Sequence, residues 1–189
     1  MIDLFPELAE AVTMIPGLRC IPEFVTEEQE RRILQRVDSG EWNHEYSRRR
    51  QQFGYRYDYK SEHLTHLGPL PDWLQGLAER LAREGIFDRI PDQALINEYL
   101  PGQGIAAHID RFSETVVSIS LASGILMDFT RVSDSARVSM WLEPRSLLIL
   151  QREARHQWQH SIAKRLKDLH HGQWIPRNRR VSLTFRSVG

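Results

Sequence analysis

Two histidines and an aspartate in the second half of the chain have the chemistry and spacing of a mononuclear iron site. His108 and Asp110 are separated by one residue, so on an extended segment both side chains point the same way. His160 lies 50 positions after Asp110 and would reach the same ion through the fold. Two imidazoles and one carboxylate on one face of an iron leave the opposite face open for oxygen and a bidentate co-substrate. Taken alone, such a tripeptide is weak evidence, and the alternative is a surface histidine beside a turn aspartate.

Two arginines near the C-terminus would complete such a site. A 2-oxoglutarate co-substrate needs a cation for its distal carboxylate, and the planar fork of an arginine suits a carboxylate best. The segment RVSLTFR contains Arg180 and Arg186, with Ser182 and Thr184 between them. Within one strand these four positions share a face, so both guanidinium groups could point into a barrel. The alternative is a strand with outward polar residues and solvated terminal arginines.

The elements expected to position these residues are two helices followed by a set of short strands. Residues 22–38 indicate a helix with Thr26 as its N-cap, and residues 71–85 indicate a second one with an apolar stripe. The later segments alternate apolar and polar residues between turn signals, at residues 94–100, 116–121, 126–130, 137–142, 146–150 and 180–186. The sequence therefore predicts an α+β fold whose core is an antiparallel sandwich or barrel, with the helices mostly before it.

Composition favours a single globular domain over residues 1–189. Hydrophobic residues make up 41% of the chain and charged residues 26%. The first twenty residues have no basic stretch before an apolar block, which is a poor secretory signal, and no run approaches the roughly 20 apolar residues that cross a bilayer. Cys20 is the only cysteine, so an internal disulfide is impossible. We expect a monomeric, cytoplasmic protein with no membrane association.

Formal net charge is zero, which gives no global sign of electrostatic attraction to nucleic acid. Basic residues do cluster locally, at residues 48–50, 164–167 and 177–180. The alternative for each cluster is solvated loop charge.

Three blocks together resemble the AlkB family of iron and 2-oxoglutarate dioxygenases. They are NEYLPGQGIAAHID (Asn97–Asp110), LEPRSLLILQREARHQWQH (Leu142–His160) and RRVSLTFR (Arg179–Arg186). The resemblance implies a double-stranded β-helix (jelly-roll) core over about residues 94–189, after N-terminal helices and a lid within about residues 1–93. It also implies Fe(II), 2-oxoglutarate and O2 as cofactor and co-substrates, with His108, Asp110 and His160 as iron ligands. The 2-oxoglutarate contacts that it implies are Asn97, Tyr99, Arg180, Ser182 and Arg186.

The family has a nucleotide-recognition lid before the barrel, and here that region corresponds to residues 47–59. Three arginines beside three aromatic residues suit phosphate contact and base stacking: Arg48, Arg49, Arg50, Phe53, Tyr55 and Tyr57. The alternative is an exposed hairpin with one aromatic face packed on the core. Two further positions have an open role: Asp128 either faces the cavity or points outward, and Arg155 either contacts the substrate or metal site or forms a surface salt bridge.

One departure from the family bears on the substrate. The bacterial prototype has acidic residues closely after the iron-binding aspartate, whereas here Arg111, Phe112 and Ser113 follow Asp110. The HID block, the MDF tripeptide at 127–129 and the FGYRYDY segment look closer to the branch whose animal members modify the wobble uridine of tRNA.

The leading hypothesis is oxidative dealkylation (demethylation) of alkylated bases in DNA or RNA, as in DNA repair or RNA modification, with release of succinate, CO2 and formaldehyde. A flipped or single-stranded base would be the substrate. The rivals are hydroxylation of a modified wobble uridine in tRNA, oxygenation of a protein or small molecule, and, from another class, a non-catalytic binding module.

Overall fold

The structure is a computed structural model that describes residues 14–45, 47–58 and 61–188. Residues 1–13, part of the segment that is expected not to be a secretory signal, and Tyr59 of the expected lid lie outside the described residues. The helices are α1 (Glu27–Ser39), α2 (Asp72–Arg83) and α3 (Arg152–His156). The strands are β1 (Leu18–Ile21), β2 (Arg50–Phe53), β3 (Tyr55–Asp58), β4 (His63–His66), β5 (Gln93–Tyr99), β6 (Ile105–His108), β7 (Val116–Leu121), β8 (Ile125–Arg131), β9 (Arg137–Leu142), β10 (Leu147–Leu150), β11 (Trp158–Ile162), β12 (Lys167–His170), β13 (Gln173–Pro176) and β14 (Arg180–Arg186).

Two antiparallel sheets face each other and form the expected double-stranded β-helix. The larger has the order β1-β10-β7-β14-β5-β2, and the smaller has the order β6-β11-β8-β9. The expected α+β class with a jelly-roll core is therefore confirmed. Strands β1 and β2 come from before residue 94 and still belong to the larger sheet, pairing with β10 and β5. Two hairpins, β3–β4 and β12–β13, stand outside these sheets.

The two predicted helices cover one face of the larger sheet. Helix α1 begins after Thr26, whose hydroxyl accepts a hydrogen bond from the Gln29 amide while the Gln29 side chain accepts one from the Thr26 amide. This reciprocal capping satisfies backbone donors that a helix N-terminus leaves free. The apolar stripes of α1 and α2 pack on alternate residues of the sheet. The core between them includes Ile33, Val37, Leu74, Ala78, Leu81, Ile96, Ile119, Val181, Leu183 and Phe185.

The opposite face of the same sheet turns towards the smaller sheet and encloses a cavity. Strand β14 shows the division clearly, because all seven of its residues are buried. Val181, Leu183 and Phe185 belong to the helix-side core, whereas the alternate positions, from Arg180 to Arg186, line the cavity. A strand places successive side chains on opposite faces, so β14 supplies both the core and the polar wall.

None of the helices in the described part of the chain combines the length and the apolar character that a bilayer crossing requires.

Candidate metal centre and co-substrate cavity

Strands β6 and β11 bring the two histidines together. His108 and His160 are directly opposite each other in the β6–β11 ladder, and their ring centroids are 4.4 Å apart. Asp110 follows β6 by two residues, and its Oδ2 lies 3.4 Å from Nε2 of His160. One ligand atom from each of the three residues lies within 4.8 Å of the others. The structure thus assembles the three side chains that the sequence predicts as metal ligands.

The local electrostatics favour the protonation states that metal binding requires. Burial lowers the pKa of His160 to about 4, so its imidazole is neutral near pH 7. Burial alone would raise the pKa of the Asp110 carboxyl, but the guanidinium of Arg186 and the imidazoles of His160 and His108 hold it well below its usual range. The main-chain carbonyl of Ala106 lies 2.8 Å from Nδ1 of His108. If Nδ1 carries the proton for that contact, Nε2 of His108 is the ligand atom.

A cavity of about 420 Å³ lies beside these ligands, between the two sheets. The β5–β14 register sets Tyr99 opposite Arg180 and Asn97 opposite Ser182, and all four line the cavity. These are four of the five residues that the family resemblance assigns to 2-oxoglutarate. The fifth, Arg186, lines the cavity near the metal ligands, where it donates a hydrogen bond to Asp110.

Arg180 is a buried cation without an acidic partner among the described residues. Its side chain is 1% exposed, and Nη2 donates a 2.8 Å hydrogen bond to the Ser120 hydroxyl. Its Nε and Nη1 have no hydrogen-bond partner. Burial lowers the pKa of Arg180 to about 10, which still leaves it charged near neutral pH. An unpaired buried charge is costly, so these two free nitrogens fit a carboxylate that the protein does not itself supply.

The residues therefore fit both groups that the sequence predicts. Two imidazoles and one carboxylate are a ligand set suited to ferrous iron with open positions. The free nitrogens of Arg180 fit the distal carboxylate of 2-oxoglutarate at the other end of the cavity.

A short loop after Asp110 closes one side of the cavity against the lid. Nη1 of Arg111 donates a 2.8 Å hydrogen bond to the Tyr57 hydroxyl, and the Phe112 ring packs edge-on to Tyr57 with centroids 5.2 Å apart. Phe112 and Ser113 both have φ of 61°, a left-handed conformation that is costly for residues other than glycine. Arg155 donates hydrogen bonds of 2.5 Å to the Phe112 carbonyl and 2.8 Å to the Ser113 carbonyl.

The predicted substrate residues separate into two groups. Arg48, Arg50 and Tyr57 line the cavity. Arg155 is buried and braces the loop after Asp110 from behind, so it supports the cavity wall without lining it. Arg111, which the sequence marks only as a departure from the family pattern, lines the cavity and contacts the lid. Its position directly after a metal ligand is the sequence signal for this role.

The remaining predicted substrate residues lie away from the cavity. Arg49 forms a two-point ion pair with Glu98, with distances of 2.7 and 2.9 Å. The Phe53 ring packs edge-on to Trp73 of α2, and the Tyr55 ring lies against His66. Asp128 accepts a 2.5 Å hydrogen bond from Ser139 on the outer face of the smaller sheet. The structure therefore does not bring these four side chains to the metal centre.

Comparisons with known proteins agree with this geometry. The profile of the 2OG-Fe(II) oxygenase superfamily matches residues 17–186. An uncharacterized protein, L905, of Acanthamoeba polyphaga mimivirus is 34% identical over 91% of this chain and 85% of its own length. The tRNA (carboxymethyluridine(34)-5-O)-methyltransferase ALKBH8 of Mus musculus is 38% identical over 81% of this chain, which spans only 25% of that protein.

Two further comparisons bear on function and on fold. The probable RNA/DNA demethylase ALKBH6 of Danio rerio is 31% identical over 92% of this chain and 86% of its own length. The solved structure of OsALKBH1 superposes with a TM-score of 0.71 at 18% identity, covering 91% of this chain and 97% of that chain. At that identity the likeness concerns the fold alone.

Proposed function

Because the chain belongs to the 2OG-Fe(II) oxygenase superfamily, within its AlkB-like group, we propose that it hydroxylates a carboxymethylated wobble uridine of tRNA. It is a dioxygenase that uses Fe(II), 2-oxoglutarate and O2. When bound, these groups supply the oxidising power that inserts one oxygen atom into a C–H bond while 2-oxoglutarate is converted to succinate and CO2.

The charge of the cavity carries this choice of substrate. Its lining includes five arginines but a single carboxylate, that of Asp110, which is committed to the metal site. The five arginines are Arg48, Arg50, Arg111, Arg180 and Arg186. Arg186 is paired with Asp110 and Arg180 is assigned to the co-substrate, so Arg48, Arg50 and Arg111 are the lining cations left to face a base. Arg50 and Arg111 also lie 3.6 and 3.8 Å from the exposed carboxylates of Glu45 and Glu62. This wall favours a base that bears a carboxylate over a base made cationic by N-alkylation. The name of the mouse relative refers to carboxymethyluridine at position 34 of tRNA, a base of the second kind.

The chain's residues would contribute binding and positioning. Arg180 would hold the distal carboxylate of 2-oxoglutarate, as its free nitrogens indicate. Arg48 is a cation at the cavity wall, where its Nε donates a 3.3 Å hydrogen bond to Asn97. Tyr57 and Phe112 offer aromatic surfaces for a base taken out of its stack. The contact between lid and loop would exclude water and fix the target C–H bond.

The test is incubation of the iron-loaded protein with 2-oxoglutarate and tRNA that carries 5-carboxymethyluridine at the wobble position. We expect the nucleoside to gain one oxygen atom by mass spectrometry, with one succinate formed for each. The variant His160→Ala should form neither product, because it lacks one metal ligand. Normal turnover in that variant would remove His160 from the metal site, and unchanged uridine with the wild-type protein would refute the proposed substrate.

Oxidative dealkylation is the second candidate, and the names of two relatives favour it. The zebrafish relative is named a probable RNA/DNA demethylase, and a Caenorhabditis elegans relative, 27% identical over 92% of this chain and 60% of its own length, is named a DNA N6-methyl adenine demethylase. N6-methyladenine is a neutral base, so a positively charged cavity does not repel it. Formaldehyde release from single-stranded DNA carrying N6-methyladenine, with none from DNA carrying cationic 1-methyladenine, would favour this candidate.

A further inference from the structure

The β12–β13 hairpin has one face that packs on the jelly roll. Asp168 on this face is fully buried and bonds to Arg177 through two hydrogen bonds of 2.8 and 2.9 Å and to Arg165 through one of 2.6 Å. His170, also on this face, stacks on Trp141 of β9 at 4.6 Å between centroids and 16° between planes. The hairpin is therefore held in a fixed orientation on the barrel.

The opposite face of the hairpin is exposed and unusually apolar. The register pairs Lys167 with Pro176 and Leu169 with Trp174, which places these four side chains on one face. Trp174 is 56% exposed, Leu169 46% and the adjoining Leu166 69%. Nζ of Lys167 lies 4.9 Å from the centroid of the Trp174 ring. We call this surface, formed by Lys167, Leu169, Trp174 and Pro176, the outer hairpin face.

The charge around this face is positive. Lys164 and Lys167 are exposed, and neither forms an ion pair with a carboxylate in the described part of the chain. The nearby acid Asp168 is already neutralised by Arg165 and Arg177. An exposed aromatic ring beside lysines that have no acidic partner suits a single nucleic-acid strand, because a base can stack on the ring while phosphates meet the cations.

A turn at residues 100–104 joins this hairpin to the wall of the cavity. On one side, the Gly102 amide donates to the Arg165 carbonyl at 3.1 Å, and Arg177 donates to the Gln103 carbonyl at 3.2 Å. On the other side, the Gln103 side chain donates to the Ser47 carbonyl, and Arg48 of the cavity wall donates to the Gly104 carbonyl at 3.5 Å. The hairpin thus flanks the cavity on the side of Arg48.

We propose that the outer hairpin face is a second nucleic-acid contact, on which a base outside the cavity stacks against Trp174 while the neighbouring phosphates meet Lys164 and Lys167. This inference rests on the proposed action on nucleic acid and extends it: the substrate is a strand several nucleotides long, not a free nucleoside. A strand whose target base occupies the cavity would leave past Arg48 and reach this face.

The test uses three variants of the outer hairpin region: Trp174→Ala, Trp174→Phe and the double variant Lys164→Ala/Lys167→Ala. The control is Val132→Ala, which changes an apolar residue that is 60% exposed elsewhere on the surface. The probe is a fluorescein-labelled RNA stem-loop with the sequence of a tRNA anticodon arm, whose loop is single-stranded. The measurement is the Kd by fluorescence anisotropy at several salt concentrations. We expect Trp174→Ala to raise the Kd by about 5- to 150-fold, the effect of losing one base–aromatic stack. Trp174→Phe should retain most of the affinity, and the lysine variant should make the salt dependence shallower by roughly two phosphate contacts.

Substrate-independent succinate formation serves as the control for folding and should be unchanged in all four variants. Equal Kd values for Trp174→Ala and Val132→Ala would overturn the inference, as would a change of oligomeric state in Trp174→Ala without a change in RNA affinity. Failure of the proposed function would give a different result. In that case the wild-type protein would still bind RNA through Trp174, but it would oxidise neither tRNA nor methylated DNA.

Discussion

The guanidinium of Arg186 donates a hydrogen bond to Oδ1 of Asp110 and leaves Oδ2, 3.4 Å from Nε2 of His160, as the oxygen available to a metal. The same guanidinium is held from the other side by the Gln93 side chain at 3.2 Å. The rotamer of the carboxylate ligand is therefore set by a strand at the opposite wall of the cavity. The two strands β5 and β14 act on the metal site although neither contributes a ligand.

Replacing Arg186 by glutamine should weaken metal binding. Asp110 would lose the group that orients it and the main cation that keeps its carboxyl ionised, and the loss of such an outer partner typically reduces metal affinity by about 10- to 100-fold. Titration calorimetry with Mn(II) measures the change. Arg180→Gln is the matched control, since it removes a cavity arginine that does not contact the ligands. Equal Mn(II) affinity in wild type and Arg186→Gln would show that Asp110 needs no such support.

Replacing Arg180 by glutamine should instead weaken 2-oxoglutarate binding and leave metal affinity intact. The variant removes a buried cation whose Nε and Nη1 have no acceptor within the protein. Loss of the guanidinium from its pair with the distal carboxylate of 2-oxoglutarate should cost about 2 kcal/mol or more of binding free energy, or roughly 30-fold in Kd. The Kd of 2-oxoglutarate for the Mn(II)-loaded protein tests this. Arg137→Gln, at an exposed position, is the control. Unchanged 2-oxoglutarate affinity would place the distal carboxylate elsewhere in the cavity.

Replacing Arg155 by alanine should release the loop after Asp110. Its guanidinium holds the carbonyls of Phe112 and Ser113, two consecutive residues in the left-handed region, and each charge-assisted bond contributes about 1.5–3 kcal/mol. We expect hydrogen exchange at residues 111–113 to accelerate by roughly 100-fold or more, because two such bonds are lost, while β5 and β14 stay protected. Arg137→Ala should leave all of these rates unchanged. If the loop exchanges at the wild-type rate in Arg155→Ala, its conformation is fixed by other contacts.

Replacing Asp168 by asparagine should destabilise the protein in a pH-dependent way. Burial would raise the pKa of Asp168, but its hydrogen bonds with Arg177 and Arg165 lower it below the usual value. A carboxyl with a lowered native pKa stabilises the fold above its unfolded pKa, about 3.9, and loses that contribution as pH falls towards the native value. The variant should therefore lose about 3–5 kcal/mol at pH 7, because Arg177 and Arg165 lose the carboxylate that they share. Urea unfolding at pH 7 and at pH 3 measures this.

The gap in stability between wild type and Asp168→Asn should narrow at the lower pH. A gap of the same size at both values would mean that the ion pair contributes nothing and that the amide disturbs packing only. Asp134→Asn is a suitable control, since Asp134 pairs with Arg131 at an exposed site where such pairs contribute little.

Much of the fold could be predicted because its signals are local. The strand at residues 180–186 alternates polar and apolar residues along its whole length, and its predicted bounds agree with β14. The helix at 22–38 was predicted from its cap, and α1 indeed begins directly after Thr26. Strands β6 and β11 are not predicted, because each is only four or five residues long and carries no clear alternation of apolar and polar residues. Their register, which joins His108 to His160, is a tertiary property.

The lid shows that the direction of side chains cannot be predicted from a sequence when the pairing of its strands is unknown. Arg48, Arg49 and Arg50 were considered as one basic cluster, yet Arg49 faces Glu98 while its two neighbours line the cavity. Asp128 shows the same effect on β8, where Met127 lines the cavity and the next side chain points outward. A shift of one residue exchanges the two faces of a strand, so the direction of each side chain depends on pairing that only the structure reveals.

The complete burial of β14 has a consequence for how this protein could change over evolutionary time. A substitution on one side of the strand disturbs the helix-side core, and one on the other side disturbs the co-substrate wall. Divergence towards new substrates must therefore come from segments outside β14, such as the β3–β4 hairpin and the loop at residues 111–113. Saturation mutagenesis of residues 180–186 should therefore yield almost no tolerated substitutions. Directed evolution of substrate preference should leave these residues unchanged and vary the segments around the mouth of the cavity.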